Sequence, residues 1–454
     1  MAHWFHRNPF KATAAQSFDV RKISMKSDFN KVMGDLRNAR NALLSLFNDP
    51  LASPDKMESV SSDYFSLIQG LFEVPAPTTD DASTSQTETT TEIEDSKTEK
   101  EKDNKKDKSK TEDERPVGMA ITLKTFFKFK WTQTLYVGKP PLVEDDAEFD
   151  FVNMGINVAL WYTKHAAKLA AQPELKMEDA KEIHSCLKKA AGMFKEFKDN
   201  QAGKLKNPPQ KCSDLDPNVL ECYIMCCQAE AQEVTIARAV EKKHKDSLIA
   251  ALANETSKYF QQADHMLNSK DQIIVGKWRK YLQLKEKFYK SYALCYYGSG
   301  LLSDEKCGDS VRCLMDSNQA FEETDKLCKE YITTKGAGST IRPHEHAFYR
   351  NFQKDLQRKL KKSESENGFI YHHKIPPVAP NMSLQATHGL VEPTPYTVPF
   401  LSSSWTKAVY AGFSISKNVA QNKKSKVKTE KEGEIQNIKE PDIKVTKDNG
   451  CIVS

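Results

Sequence analysis

Residues 216–253 read DPNVLECYIMCCQAEAQEVTIARAVEKKHKDSLIAALA. Asp216 is a typical N-cap residue and Pro217 suits the first helical position, so a helix is predicted to begin here. Its apolar side chains recur at alternating steps of four and three residues, at Leu220, Ile224, Cys227, Ala231 and Val234. After a short polar connection, a second helix is predicted over residues 246–267. Because the connection is short, we expect the two helices to pack antiparallel.

The helical pattern continues on both sides of this stretch. Apolar residues at helical spacing predict further helices at about 27–47, 64–72, 146–171, 178–197, 272–301, 309–333 and 343–364. These helices differ in length and share no fixed consensus of about 34 residues, which argues against a regular repeat array but leaves a solenoid of TPR-like pairs open. Alternation between Phe126 and Trp131, and short alternating stretches in residues 1–27, predict a small sheet. The predicted fold class is therefore mainly α with a small β-sheet.

Three segments have compositions unlike those of the helices. Residues 75–116 are mostly Thr, Ser, Glu, Asp and Lys, with no aromatic residue, and are predicted to be a disordered insertion within one domain. Prolines between Pro376 and Pro399 predict an extended strap over the helices, and residues 416–450 are polar, lysine-rich and predicted to be disordered. We therefore expect one domain over 1–400, a flexible tail over 401–450 and a terminal motif over 451–454.

The composition restricts the class of protein. The chain has 454 residues, of which 39% are hydrophobic and 28% charged, and its net charge is +5. This weak charge does not argue for nucleic acid, whose binders carry a concentrated basic face. No run approaches the roughly 18 apolar residues of a membrane-spanning helix, and the N-terminus lacks the apolar region of a signal peptide. Ten cysteines are too dilute for a secreted disulfide scaffold, so a reducing, cytosolic compartment is expected.

Several stretches resemble catalytic or metal-binding motifs but lack the spacing that those motifs require. Residues 334–340 look like a phosphate loop, but the glycine spacing is wrong and a turn between helices fits better. His344 and His346 are two positions apart, whereas the zinc-protease motif places its two histidines four positions apart. Cys222, Cys226 and Cys227 lie on one helix without a second pair at zinc-finger spacing, which favours small buried thiols. We therefore expect neither an enzyme nor a bound metal or cofactor.

The chain ends in Cys451-Ile452-Val453-Ser454, which has the form of a prenylation signal. The cysteine supplies the thiolate that is alkylated, the aliphatic pair is read in an apolar groove, and terminal serine favours farnesyl. We expect Cys451 to be farnesylated, with the methylation that accompanies such processing. The protein would then lie on the cytoplasmic face of membranes, with a cytosolic pool.

Three short stretches resemble the signature of the BRO domain family. Residues 229–234 read AEAQEV, residues 246–253 read DSLIAALA, and residues 367–372 read NGFIYH. The resemblance covers residues 3–400 apart from the predicted insertion. It implies the Alix-like BRO domain, which is boomerang-shaped and mostly helical, with a TPR-like core and a small sheet.

The resemblance also implies a partner. BRO domains bind ESCRT-III subunits of the charged multivesicular body protein type, whose C-terminal amphipathic helix lies along a concave apolar groove. The apolar patch of that groove corresponds here to Leu248 and Leu252, which share one helix face, although core packing is the alternative for both and weighs more for Leu252. Thr235 stands where Alix has a phenylalanine, so we expect a weaker or different contact there. Lys181 either pairs with an acidic ligand or is solvated.

Tyr371 corresponds to a family tyrosine that can be phosphorylated and act as a docking site; the alternative is a structural tyrosine buried between Ile370 and the strap. The leading hypothesis is a membrane-tethered adaptor for ESCRT-III at endosomal or nuclear-envelope sites. The alternative is a prenylated scaffold that recruits a different partner, such as a small GTPase. An enzyme ranks third, because the phosphatase that some relatives carry has no counterpart after residue 400.

Overall fold

The computed structural model describes residues 4–20, 27–73, 123–136, 138–172, 175–211, 213–382, 386, 389–411, 434–436 and 438. Its helices are α1 (Ser27–Leu46), α2 (Pro54–Ile68), α3 (Ala147–Ala170), α4 (Met177–Glu196), α5 (Pro217–Glu241), α6 (Asp246–Met266), α7 (Gln272–Ser303), α8 (Cys307–Thr333), α9 (Ala347–Glu366) and α10 (Lys407–Ala411). Its strands are β1 (Thr13–Ala14), β2 (Phe129–Trp131), β3 (Leu142–Glu144) and β4 (Ile435–Gln436). The predicted insertion at 75–116 lies outside the described residues.

Helices α3 to α8 form the body of the fold. Each packs against the next along the chain, and α9 packs on α8. Three of these helices begin at an aspartate N-cap, Asp146, Asp216 and Asp271, whose carboxylate accepts a backbone N–H two residues later. Such caps satisfy donors that the first turn of a helix leaves without a partner. The predicted succession of neighbouring helices, and with it the mainly α class, is confirmed.

Helix α3 lies in the centre of the core, where nearly all of its residues are buried. Its buried carboxylate, Asp150, accepts from the Arg40 guanidinium at 2.9 Å, from the Tyr64 hydroxyl at 2.6 Å and from the Trp131 indole at 2.7 Å. A buried charge is stable only when it is paired and hydrogen-bonded. Asp150 therefore connects α1, α2 and β2 to the central helix.

The AEAQEV stretch on α5 holds the first residues of the described chain. The Glu230 carboxylate accepts two hydrogen bonds from Arg7, at 2.9 and 2.7 Å, and one from the Tyr281 hydroxyl at 2.7 Å. Glu233 accepts from the ammonium group of Lys285 at 2.7 and 2.9 Å. Both glutamates are buried. The two acidic residues of this signature are therefore structural, since removing either would leave a buried cation unpaired.

The predicted small sheet has four antiparallel strands in the order β3-β2-β1-β4. Thr13 pairs with Trp131 on one side and with Gln436 on the other. Strand β2 begins at Phe129, three residues later than the alternating pattern predicted. Because β4 comes from the C-terminal part of the chain, this sheet joins both ends of the described sequence.

The predicted flexible tail from residue 401 is wrong for residues 401–411 and for β4. The Trp405 side chain is buried, and its indole N–H donates to the Leu67 carbonyl at 2.8 Å. The Tyr410 hydroxyl donates to the Gly70 carbonyl at 3.0 Å. Gly70 is required there, because a Cβ would lie about 2 Å from the Trp405 ring. Because the average composition of the tail is polar, it did not predict that these two aromatic side chains pack against the domain. Most of the lysine-rich part lies outside the described residues.

Candidate functional site

Helices α4, α5 and α6 enclose an open groove of about 480 Å³. Its apolar lining is formed by Met177, Ala180, Val234, Ala239, Leu248, Leu252 and Gly389, and its polar lining by Lys181, His184, Thr235, Arg238, Lys242 and His244. The four groove residues predicted from the resemblance, Lys181, Thr235, Leu248 and Leu252, all belong to this lining. Residues from three separate helices are thus brought to one surface.

Leu248 and Leu252 have different positions in the groove. Leu248 is half-buried and packs against the main core from the groove side. Leu252, one turn later, is only 2% exposed and forms the floor. Leu252 therefore belongs to both the core and the groove, as the two alternatives for it anticipated. A polar substitution at Leu248 disturbs the groove with less damage to the core.

Thr235 and Lys181 reach the groove from two different helices, α5 and α4. Thr235 is half-buried, and its hydroxyl donates to the Ala231 carbonyl at 3.5 Å. Its small side chain leaves space that a phenylalanine would fill. Lys181 is exposed at the edge of α4 and forms no ion pair within the described chain. Its ammonium group is therefore available to an acidic ligand.

Further cations on α5 extend this basic edge. Thr235, Arg238 and Lys242 follow one another at steps of three and four, so they share one helix face. Arg238 pairs with Glu241 at 2.9 Å on the surface, a weak interaction that a ligand carboxylate can replace. No carboxylate from the described residues lines the groove. Arg238 and Lys242 were not predicted from the sequence, although their spacing from Thr235 is a signal that identifies them.

Two histidines complete the polar lining. Burial lowers the pKa of His184, and the nearby Lys188 lowers it further, so this ring is neutral at physiological pH. His244 is exposed in the connection between α5 and α6. The lysines and the arginine supply the permanent positive charges of the groove.

The predicted strap crosses one end of the groove. The Gln232 side chain on α5 donates to the Gly389 carbonyl at 2.8 Å and accepts from the Val391 N–H at 2.9 Å. Further along, the Thr394 N–H donates to the Lys188 carbonyl on α4 at 3.1 Å. The strap is therefore held by both helices, and it contributes Gly389 to the groove lining. The prolines of the sequence predicted the strap but not its contacts.

Tyr371 closes a π-helical turn, Asn367–Tyr371, at the end of α9. It is half-buried, and its ring lies 5.7 Å from that of His373. Glu305 is the main cause of its raised pKa. Ile370, which the structural alternative placed against this tyrosine, is 66% exposed. The exposed turn leaves Tyr371 accessible from one side.

The cysteines of the described chain are not reactive groups. All eight are free and buried, including Cys222, Cys226 and Cys227. Burial raises the pKa of each of these three thiols, and it raises the pKa of Cys186 to about 12. A reactive cysteine instead has a lowered pKa and solvent access. The predicted reading as structural thiols agrees with this environment.

The predicted lipid attachment site, Cys451, and the rest of its motif, Ile452, Val453 and Ser454, lie outside the described residues. In the part of the chain that is described, no helix combines the length and the apolar character needed to cross a bilayer. Among these same residues, no group of three or more His, Cys, Asp or Glu side chains is arranged to hold a metal ion.

Solved structures with the same fold include BRO1 domains. The ALIX BRO1–CHMP4C complex superposes with a TM-score of 0.61 at 18% identity, covering 88% of this chain and 98% of that one. ALIX in complex with the SIVmac239 PYKEVTEDL late domain superposes with a TM-score of 0.63 at 18% identity, covering 93% of this chain and 52% of that one. At this identity the similarity establishes the fold, including its TPR-like helical core and small sheet.

Sequence comparison extends the similarity beyond the fold. The chain is 43% identical over 453 residues to the BRO1 domain-containing protein BROX of Danio rerio, covering 100% of both chains. It is 42% identical over 417 residues to the protein of the same name from Homo sapiens, covering 92% of each. The profile of the BRO1-like domain matches residues 119–427. The chain therefore belongs to the BRO1-like domain family, as the resemblance predicted.

Proposed function

We propose that this protein is a membrane-tethered adaptor that binds the C-terminal amphipathic helices of ESCRT-III subunits of the charged multivesicular body protein type. It would act in ESCRT-dependent membrane remodelling, at endosomal or nuclear-envelope sites. The observation that carries the proposal is the groove between α4, α5 and α6, with Leu248 and Leu252 beneath a basic edge. The same fold occurs in the ALIX BRO1–CHMP4C complex, which supports a protein ligand for a domain of this kind.

The groove fits the chemistry of an amphipathic helix. Such a helix places apolar residues at steps of three and four along one face, and that face packs into an apolar groove. Here the apolar floor would accept the face, and Lys181, Arg238 and Lys242 would meet acidic residues on its flank. Charge complementarity of this kind increases the association rate and selects the orientation of the partner.

A farnesyl group on Cys451 would supply the second attachment. One isoprenoid chain alone gives weak, reversible membrane binding. Because ESCRT-III polymers sit on membranes, a lipid and a groove contact would act together as a bivalent tether and increase the overall affinity. The proposed role is that of an adaptor and not of an enzyme, with no bound cofactor.

The groove is tested with the full chain and a fluorescent ESCRT-III C-terminal helix, by measuring anisotropy. Leu248→Asp puts a charge into the apolar contact and should weaken binding at least about thirtyfold. The matched control is Ile273→Asp, because Ile273 is 84% exposed and lies at the start of α7, outside the groove lining. Full affinity in a folded Leu248→Asp variant would refute the groove. Failure of the unmodified chain to bind any such helix would favour a scaffold for another partner, such as a small GTPase.

A further inference from the structure

Helix α9 carries a row of exposed cations. Six of its residues are basic and three are acidic, so its net charge is 6 − 3 = +3. The exposed cations follow one another at steps of one, three or four residues, at Arg350, Lys354, Arg358, Lys361 and Lys362. Such spacing places them along one side of the helix. The opposite side, which includes Phe352, Leu356 and Ser363, is buried.

Neighbouring carboxylates neutralise this stripe only in part. Arg358 pairs with Asp355, and Lys362 pairs with Glu366 at 3.6 Å. Exposed pairs within one helix are weak and exchange readily with other anions. Lys354 forms no ion pair within the described chain, and neither does Lys361. The stripe therefore presents a positive surface that none of the described residues covers.

The stripe ends at an exposed apolar tip. Within the π-helical turn, Phe369 is 86% exposed and Ile370 is 66% exposed. Asn367, two residues earlier, is buried, so the turn directs these two side chains away from the core. Around Gly368, no atom beyond its chain neighbours and the backbone of its own turn lies within 4 Å of the position that a Cβ would occupy. An aromatic and an aliphatic side chain therefore protrude into solvent beside the cations.

We propose that the cationic stripe of α9 and the Phe369–Ile370 tip form a contact site for an anionic lipid surface. The phosphate and carboxylate groups of anionic lipids would meet the lysines and arginines, each of which adds attraction at the membrane surface. Phe369 and Ile370 would enter the boundary between headgroups and acyl chains, as apolar residues of peripheral helices do. Burying them there removes from water the apolar surface that the folded chain leaves exposed.

A membrane fits this surface better than an acidic protein segment does. Peptide ligands are held in grooves or along sheet edges, as in the groove of α4 to α6. The tip of α9 instead protrudes, and its apolar side chains suit a partner that deforms around them. A fluid lipid surface does so and also carries negative charge. The proposed contact requires neither the farnesyl group nor an ESCRT-III partner, so it can fail independently of the proposed function.

The test measures sedimentation of the full chain carrying Cys451→Ser with phosphatidylcholine vesicles, prepared with and without phosphatidylserine. We expect binding only in the presence of phosphatidylserine, with an affinity that falls as salt is added. Lys354→Glu combined with Lys361→Glu should reduce the partition constant at least about tenfold. Phe369→Ser should reduce it about threefold to tenfold without changing the charge.

Matched controls distinguish this site from the effects of changing the net charge or removing an exposed phenylalanine elsewhere. Lys31→Glu with Arg37→Glu makes the same charge change on exposed positions of α1, and Phe400→Ser removes a phenylalanine that is 92% exposed elsewhere. Both controls should bind within about twofold of the parent, because surface substitutions leave the fold intact. Equal binding by the stripe variant and the parent would overturn the proposal. A stripe variant that loses binding to a polyglutamate peptide and keeps binding to vesicles would identify an acidic protein partner instead.

Discussion

The side-chain amide of Gln232 donates to the backbone carbonyl of Gly389 across 2.8 Å, which joins the strap to the helix beneath it. The other end of the same amide accepts from the Val391 N–H at 2.9 Å. Gly389 has a φ of 83°, in the left-handed region, and a Cβ there would lie 3.4 Å from the Leu252 side chain. One glutamine and one glycine therefore position the strap at the end of the groove.

Replacing Gln232 by leucine should release the strap. The substitution leaves two backbone groups without their partner, which costs about 1–3 kcal/mol of the free energy of unfolding. Urea denaturation measures this loss, and Gln353→Leu, at an exposed position on α9, is the control that should change little. A Gln232→Leu variant as stable as the parent would show that the strap adds little to stability.

Reversing two charges at the groove edge should weaken capture of an ESCRT-III helix. We expect Lys181→Glu with Arg238→Glu to lower the affinity about tenfold at low salt, mainly through a slower association rate. The difference should shrink at high salt, because the ions screen exposed charges. Stopped-flow fluorescence resolves the association rate, with Lys31→Glu and Arg37→Glu on α1 as the charge-matched control. An effect that is independent of salt would argue against a charged contact.

Acid should destabilise the fold through His6. Burial lowers the pKa of His6 from 6.5 to about 3, and the nearby cations Lys277 and Arg7 add to this, whereas hydrogen bonds with Asn8 and Ser339 oppose it. The unfolded chain therefore takes up a proton at a higher pH than the folded chain. The stability that depends on neutral His6 is complete above pH 6.5 and is lost as the pH falls towards 3.

His6→Gln tests this linkage. Between pH 7 and about pH 4.5 the His6 contribution should fall by about 2–3 kcal/mol, and the variant should lose that much less stability over the same interval. The comparison uses the change with pH, so an overall destabilisation of the variant does not affect it. Parallel pH curves for the two proteins would exclude His6 as the cause.

Removing the proposed lipid site should make the protein largely soluble in cells, with only the weaker α9 contact left to hold it at membranes. Cys451→Ser eliminates the thiol that a prenyltransferase alkylates. The membrane binding that one isoprenoid chain contributes is lost with it. Cell fractionation should then move most of the protein from the membrane pellet to the cytosol. The control is Cys307→Ser, since the Cys307 thiol is free and buried and lies outside the terminal motif. Unchanged pelleting of the Cys451 variant would argue against the lipid.

The sequence by itself determined the helices and part of the groove. N-caps such as Asp216 and apolar steps of three and four are local signals, because they depend on contacts within one or two turns. For the same reason, the spacing of Leu248 and Leu252 was enough to place them on one face. The family resemblance then supplied the position of this face relative to Thr235 and Lys181.

Only the tertiary structure decided which distant groups meet. Glu230 pairs with Arg7, and Gln232 binds the backbone of Gly389, across separations that no local pattern encodes. Trp405 lies in a segment whose average composition resembles a linker, and only its contact with α2 identifies it as an anchor. The physical reason is that burial is a property of packed surfaces: the same side chain is core or tail according to what lies opposite it.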